Sequence, residues 1–206
     1  MNPQANPWDD IFKSVGKVFT DPHEDMPLIV RWLKEDHAKT VLDLGSGSGR
    51  HVVYLAKNGF SVHGLDRSPE GISITRQWLR AENLSAHLRI QSMADPFPYE
   101  DEFFDGIVSV QVIHHAEIAA IRGIIREVTR VLKKNGVLFV TVPTINHHKE
   151  KKEIEPSTFI PLDGREKGLP HHYFTPEELR KEFEAFDVED IHVDNVKHYV
   201  LLARKR

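Results

Sequence analysis

The sequence predicts an open α/β sheet with a ligand site beyond the carboxyl end of its first strand. Three observations carry this. Thr40 to Leu44 is a short apolar run suited to a buried strand, and glycines at 45, 47 and 49 follow it. His51 to Ala56 then has the apolar density of a helix packed on a sheet. Val137 to Val142 is unbroken apolar sequence, as in a central strand covered on both faces. Strand, glycine turn, helix is how such sheets present a ligand site.

Composition bounds the reading. A chain of 206 residues with 40% hydrophobic content fills one well-packed domain, taken as residues 1–206. Lys+Arg 27 against Asp+Glu 31 leaves a formal net charge of −4, so no global field draws the chain to a polyanion. The count of zero cysteines removes disulfides, thiolate metal sites and thiol nucleophiles together. The N-terminus has neither a basic start nor an apolar run, and no run approaches the roughly 20 residues that span a bilayer. A soluble, cytoplasmic protein without a membrane partner is expected.

In chain order, Trp8, Ile11, Phe12, Val15, Val18 and Phe19 recur at helical spacing until Pro22. A second helix is expected over about 25–35, with Leu28 and Trp32 on one face. Asp43 is an odd residue inside a buried strand unless its carboxylate has work. The glycine turn is not the dinucleotide fingerprint, because Arg50 stands where a third spaced glycine would be needed, which opposes an NAD-linked oxidoreductase. Phe60 to Leu65 reads as the second strand and ends in Asp66, roughly 20 residues beyond Asp43, the offset at which a carboxylate meets both hydroxyls of a ribose. Ser68-Pro69 supplies an N-cap and a first-turn proline for a helix to about Glu82.

Ala86 to Gln91 is the third strand and Phe103 to Val110 the fourth. His114 and His115 lie just past that strand end, where a neutral imidazole can accept a proton, and they are the candidate catalytic groups. Ile118, Ile121, Ile124, Ile125 and Val128 mark an amphipathic helix, and Asn135-Gly136 turns it into the central strand. Residues 144–174 show little periodicity, and a loop of that length is usually functional or mobile. His147-His148 and His171-His172 bracket it, but no carboxylate or cysteine companion stands at recognisable spacing, so no metal is expected. Thr175-Pro176-Glu177-Glu178 is a capping box, and a closing pair of strands is expected at 188–193 and 198–203 around Asp194-Asn195.

The Asp43/Gly45/Gly47/Gly49 loop, Asp66, the stretches 92–104 and 110–115, and 135–142 together resemble the class I S-adenosylmethionine (SAM) dependent methyltransferases, most of all the broad type 11 group. The resemblance runs from about Thr40 to the C-terminus. It implies a Rossmann-like three-layer α/β/α sandwich, with a seven-stranded, mostly parallel sheet ending in an antiparallel hairpin. It also implies SAM as cofactor and S-adenosylhomocysteine as product. Asp43, Gly45, Ser46, Gly47 and Gly49 would carry the methionine end, Asp66 the ribose, and Arg67, Ser92, Met93, Ala94 and Gln111 the remaining cofactor wall. Ser92 stands where the family's acidic adenine ligand is expected, which leaves the Ser92 hydroxyl, the Met93 amide and Asp95 as alternatives.

Residues 1–36 would form a helical cap, with Trp8 and Phe12 as the lid. Residues 144–174 would be a substrate-side insertion, with Arg50, His172 and Tyr173 against the acceptor. The implied reaction moves a methyl group to an O, N or S atom of a small-molecule acceptor. The Pro-Pro-aromatic tetrad of adenine-N6 enzymes is missing after the fourth strand, and C5 methylation of cytosine lacks its cysteine. The stretches 64–68 and 109–115 also resemble the tRNA wobble-uridine carboxymethyl methyltransferases, a reading that the acidic balance disfavours. A non-catalytic SAM-binding protein is the remaining alternative.

Overall fold

Alternation at period two decides where the central strands lie. The computed structural model, which describes residues 6–144 and 150–206, places Val137 and Phe139 in one apolar core and Leu138, Val140 and Val142 in a second. Val41 is likewise divided from Leu42 and Leu44, and Val200 and Leu202 from Leu201 and Ala203. A sheet buried on both faces needs helices on each side. On one side these are α2 (Met26–Glu35) and α3 (Arg50–Lys57), with Leu79 of α4 (Pro69–Ala81). On the other they are α5 (Ile118–Val131) and α6 (Pro176–Glu182). The first helix, α1 (Pro7–Val15), packs on α4 at the edge of this sandwich.

The strands before residue 144 are β1 (Thr40–Leu44), β2 (Ser61–Asp66), β3 (His87–Ile90), β4 (Phe104–Val110) and β5 (Leu132–Pro143). After it come β6 (Lys151–Glu155), β7 (Thr158–Pro161), β8 (His171–His172), β9 (Phe186–Val193) and β10 (His198–Lys205). The main sheet has seven strands in the order β3-β2-β1-β4-β5-β10-β9, parallel except that β10 runs against both β5 and β9. The chain moves outward from β1 to β3 and returns on the other side of β1 as β4. The crevice opens at that reversal, beyond the carboxyl ends of β1 and β4.

Two expectations change. The first helix stops at Val15, where Gly16 turns the chain at φ +75°, so Val18 and Phe19 lie beyond it. Residues 150–174 are more ordered than their sequence suggests: β6, β7 and β8 form a separate three-stranded antiparallel sheet. Lys151, Lys152 and Glu153 of β6 are exposed, so that strand shows charge where a half-buried strand would show alternation. His147 and His148 lie outside the described residues. Among the described residues no helix is long and apolar enough to cross a membrane.

Candidate functional site

After Leu44 the chain turns sharply, and the amides of Gly45 and Ser46 both donate to the Leu65 carbonyl, at 2.7 and 3.1 Å. Gly45 sits at φ +74°, and a Cβ there would come within 2.4 Å of the Val112 side chain. Gly47 sits at φ +52°, with Phe12 3.2 Å from where its Cβ would be. At Gly45 the space admits only glycine, and at Gly47 the left-handed backbone strains any other residue. Asp66 ties the loop down: Oδ2 accepts from the Gly47 amide at 2.8 Å and Oδ1 from the Ser68 amide at 2.7 Å. Burial pushes this carboxyl up, and the two amide bonds only partly offset that. Each oxygen keeps a second lone pair for a ligand hydroxyl. The loop-fastening role of Asp66 has no counterpart in the sequence reading.

The loop forms one wall of a cavity of about 650 Å³, within the ordinary range for small-molecule sites. Gly45, Ser46, Gly47, Gly49, Asp66 and Arg67 line this wall, with Met93 and Gln111 nearby and Trp8 and Phe12 from α1. Arg50, His114, His115, Glu166, His171 and Tyr173 also line the cavity. Gln111 is held at φ +59°, unusual for a side-chain-bearing residue, by its amide and side-chain nitrogens bonding to Thr141 Oγ1, each at 3.1 Å. Strain of this kind collects at working sites.

Four expected site residues lie outside the cavity wall: Asp43, Ser92, Ala94 and His172. Asp43 is 1% exposed, and its Oδ2 has no hydrogen-bond partner. Burial pushes its carboxyl up to about 7, with Asp66 adding to the rise and Arg50 opposing it. The Ser92 hydroxyl accepts from the Ala94 amide at 3.2 Å, a local turn. His172 engages the Thr158 hydroxyl through Nδ1 at 2.7 Å and Glu178 through Nε2 at 3.1 Å. It is a buried post under the insertion. Successive side chains of a strand point to opposite faces, and in β8 it is His171 that reaches the cavity.

The sequence reading also missed Asp9. Its Oδ1 accepts from the Ser68 hydroxyl at 2.6 Å and the Glu70 amide at 3.0 Å, and Lys13 meets Oδ2 at 2.7 Å. Burial would raise this carboxyl, but the bonds from Lys13 and Ser68 outweigh it and hold it at about 2. Asp9 therefore fastens α1 to the amino end of α4, where a negative charge is favoured.

Around the candidate catalytic pair the groups are buried and crowded. His114 is 2% exposed with an unpartnered Nδ1, and burial, reinforced by His115 and His171, holds its pKa well below the usual value. It is neutral at pH 7 and a weak base. Glu166 Oε1 lies 3.5 Å from His115 Nε2, and Oε2 lies 3.1 Å from His171 Nε2. Burial pushes Tyr173 up to about 12, with Glu166 adding to the rise. The carboxylate companion that the linear spacing did not offer these histidines is thus supplied in space by Glu166.

Residues 42–140, from β1 through β5, match the family model of a methyltransferase domain. An uncharacterised methyltransferase of Synechocystis is 36% identical over 98 residues, 47% of this chain and 43% of that protein. The glycine/sarcosine/dimethylglycine N-methyltransferase of Actinopolyspora halophila is 29% identical over 163 residues, 78% of this chain and 27% of its own. The chain spans less than half the length of these two relatives. Among solved structures, a SAM-dependent methyltransferase from Methanosarcina mazei superposes with a TM-score of 0.74 at 25% identity, covering 90% of this chain and 98% of that one. The magnesium protoporphyrin IX methyltransferase of Synechocystis with bound SAM shares the fold, with a TM-score of 0.69 at 16% identity and 100% of both chains covered.

Proposed function

Because this chain belongs to the class I SAM-dependent methyltransferase family, we propose that it binds SAM in the cavity and methylates an O, N or S atom of a small-molecule acceptor. One observation carries the reading: the glycine cradle and Asp66 share a wall of the same cavity that Arg50, His115 and Tyr173 line. The residues suit the cofactor. Gly45 has no room for a Cβ, Gly47 has a left-handed backbone, and Ser46 Oγ is a buried polar atom without a partner. Asp66 would take the ribose hydroxyls, Met93 would pack at the adenine, and Trp8 and Phe12 would cover the nucleoside. When bound, SAM supplies a methyl group on a sulfonium that a nucleophile displaces in line.

The remaining work falls to positioning. Arg50, His115 and Tyr173 would hold the acceptor, and the apolar rings of α1 would exclude water. His114, neutral and weakly basic, would not itself take a proton from the acceptor, so a protonated acceptor would need another group to activate it.

Calorimetric titration with SAM, S-adenosylhomocysteine and NAD tests this. The first two should bind and NAD should not. Asp66→Ala removes charge-assisted hydrogen bonds worth about 1.5–3 kcal/mol each and should weaken SAM by roughly 100-fold. Gly47→Val should abolish binding, since a β-branched residue resists the left-handed backbone. Variants that bind SAM like the parent would overturn the assignment. SAM retained without turnover on any acceptor would point to a non-catalytic binding protein.

A further inference from the structure

We propose that His114, His115 and His171, with Glu166, hold a divalent transition-metal ion in the cavity. This rests on reading that part of the cavity as the acceptor side, and it names what would receive the acceptor there. Each of the three imidazoles offers one ring nitrogen, and the three nitrogens lie within 4.8 Å of one another. Nitrogens bound to a tetrahedral ion at about 2.1 Å stand roughly 3.4 Å apart, so the set is open by at most about 1.4 Å and closes with side-chain rotation.

The hydrogen-bond geometry aims a ring nitrogen at this point. His171 Nδ1 faces the Leu169 carbonyl at 2.8 Å, and a carbonyl can only accept, so that nitrogen carries the proton. That leaves Nε2 as the ring nitrogen turned toward the cavity, with a Glu166 oxygen 3.1 Å away. Anchoring the far nitrogen on a backbone carbonyl is also how metal-binding histidines are aimed. His114 adds a second, independent sign: it is 2% exposed, lines the same cavity, and its Nδ1 has no partner.

The scaffold is prepared for such a site. The His172 amide donates to the His114 carbonyl at 2.8 Å, which clamps β8 to the turn after β4 and fixes both ligand-bearing segments relative to each other. Three imidazoles and one carboxylate, in a chain without cysteine, suit Zn²⁺, Fe²⁺, Co²⁺ or Ni²⁺ better than Mg²⁺ or Ca²⁺. An ion there would bind the acceptor heteroatom and ease release of its proton to water. The heteroatom then forms its bond to the methyl carbon as the carbon–sulfur bond breaks, with the electron pair left on the thioether. This supplies the activation that a weakly basic His114 does not.

The test uses tag-free full-length protein stripped with a chelator, titrated with Zn²⁺ by calorimetry and with Co²⁺ by visible absorption. One equivalent should bind with micromolar affinity or better, and Co²⁺ should show the d–d bands of a nitrogen-rich, low-coordinate site. His171→Ala and His114→Ala should each weaken binding by more than about 100-fold, since even outer-shell changes cost 10–100-fold. Glu166→Gln, a near-isosteric change, should weaken it measurably while keeping the parent's circular dichroism, so that loss of metal is not loss of fold. Asp66→Ala should lose SAM and keep the metal, which separates failure of this site from failure of the cofactor assignment. No saturable Co²⁺ binding, or binding untouched by His171→Ala and Glu166→Gln, would overturn the proposal.

Discussion

Asp43 carries a pH signature that a melting experiment can read. Its carboxyl is pushed from the usual 3.8 up to about 7 by burial, so the folded chain holds this proton more tightly than the unfolded chain. Its contribution to stability is complete below the unfolded value and is lost as pH rises through about 7. The ligand-free parent should therefore lose stability relative to Asp43→Asn between about pH 4 and about pH 7, by an amount on the order of a few kcal/mol, and no further above that. Paired thermal melts check this, and a gap between the two proteins that stays constant with pH would remove the claim. Asp43 was legible as an anomaly because a carboxylate inside an apolar run shows in one dimension. The bonds from the Gly47 and Ser68 amides to Asp66 were not, since a side chain accepting from backbone leaves no trace in residue spacing. That His171 lines the cavity and His172 does not was hidden for a related reason: which one of a strand pair faces the cavity is set by pairing to β7, which adjacent residues do not encode.

At the scale of elements, most of the main sheet could be read because its strands are apolar and bounded by glycine, proline or polar turns. The insertion could not, because β6 is charged and β8 is only two residues long. His172 is what this hidden sheet stands on. His172→Ala leaves the Thr158 hydroxyl and Glu178 without their ring partner and should cost about 1–3 kcal/mol. Thermal melts should show that loss while calorimetry shows SAM affinity unchanged; a variant that melts like the parent would restore the acceptor role first expected of this residue. The other flank turns on Asp9. Asp9→Ala removes the partner of Ser68 and the Glu70 amide, a capping loss of about 1 kcal/mol, and should weaken SAM by about 5–10-fold. Faster proteolysis within α1, slowed less by SAM than in the parent, is the accompanying sign of a loosened lid. Unchanged affinity and unchanged cleavage would show that α1 covers nothing.

Across the whole molecule, charge decides between a small acceptor and a nucleic acid. The net charge of −4 sets an unfavourable average, but a local basic stripe could still bind tRNA. The most basic stretch of the sequence, 204–206, is met by carboxylates: Arg204 by Asp36, Lys205 by Glu102 and Arg206 by Asp187. Arg130 is likewise shared between Glu127 and Asp101, and Arg122 is gripped by Glu182. A phosphate approaching these groups must displace a partner before it gains one, so counterion release has little to drive it. The chain should therefore leave unmodified tRNA unshifted on a gel at roughly 10 μM protein and physiological salt, with only weak retention when salt is lowered. Saturable binding at submicromolar protein, with affinity falling steeply as salt rises, would mean that several cations reach phosphates despite this pairing. The wobble-uridine carboxymethyl reading would then replace the small-molecule one, with the acceptor carboxylate brought to the cavity on a macromolecule.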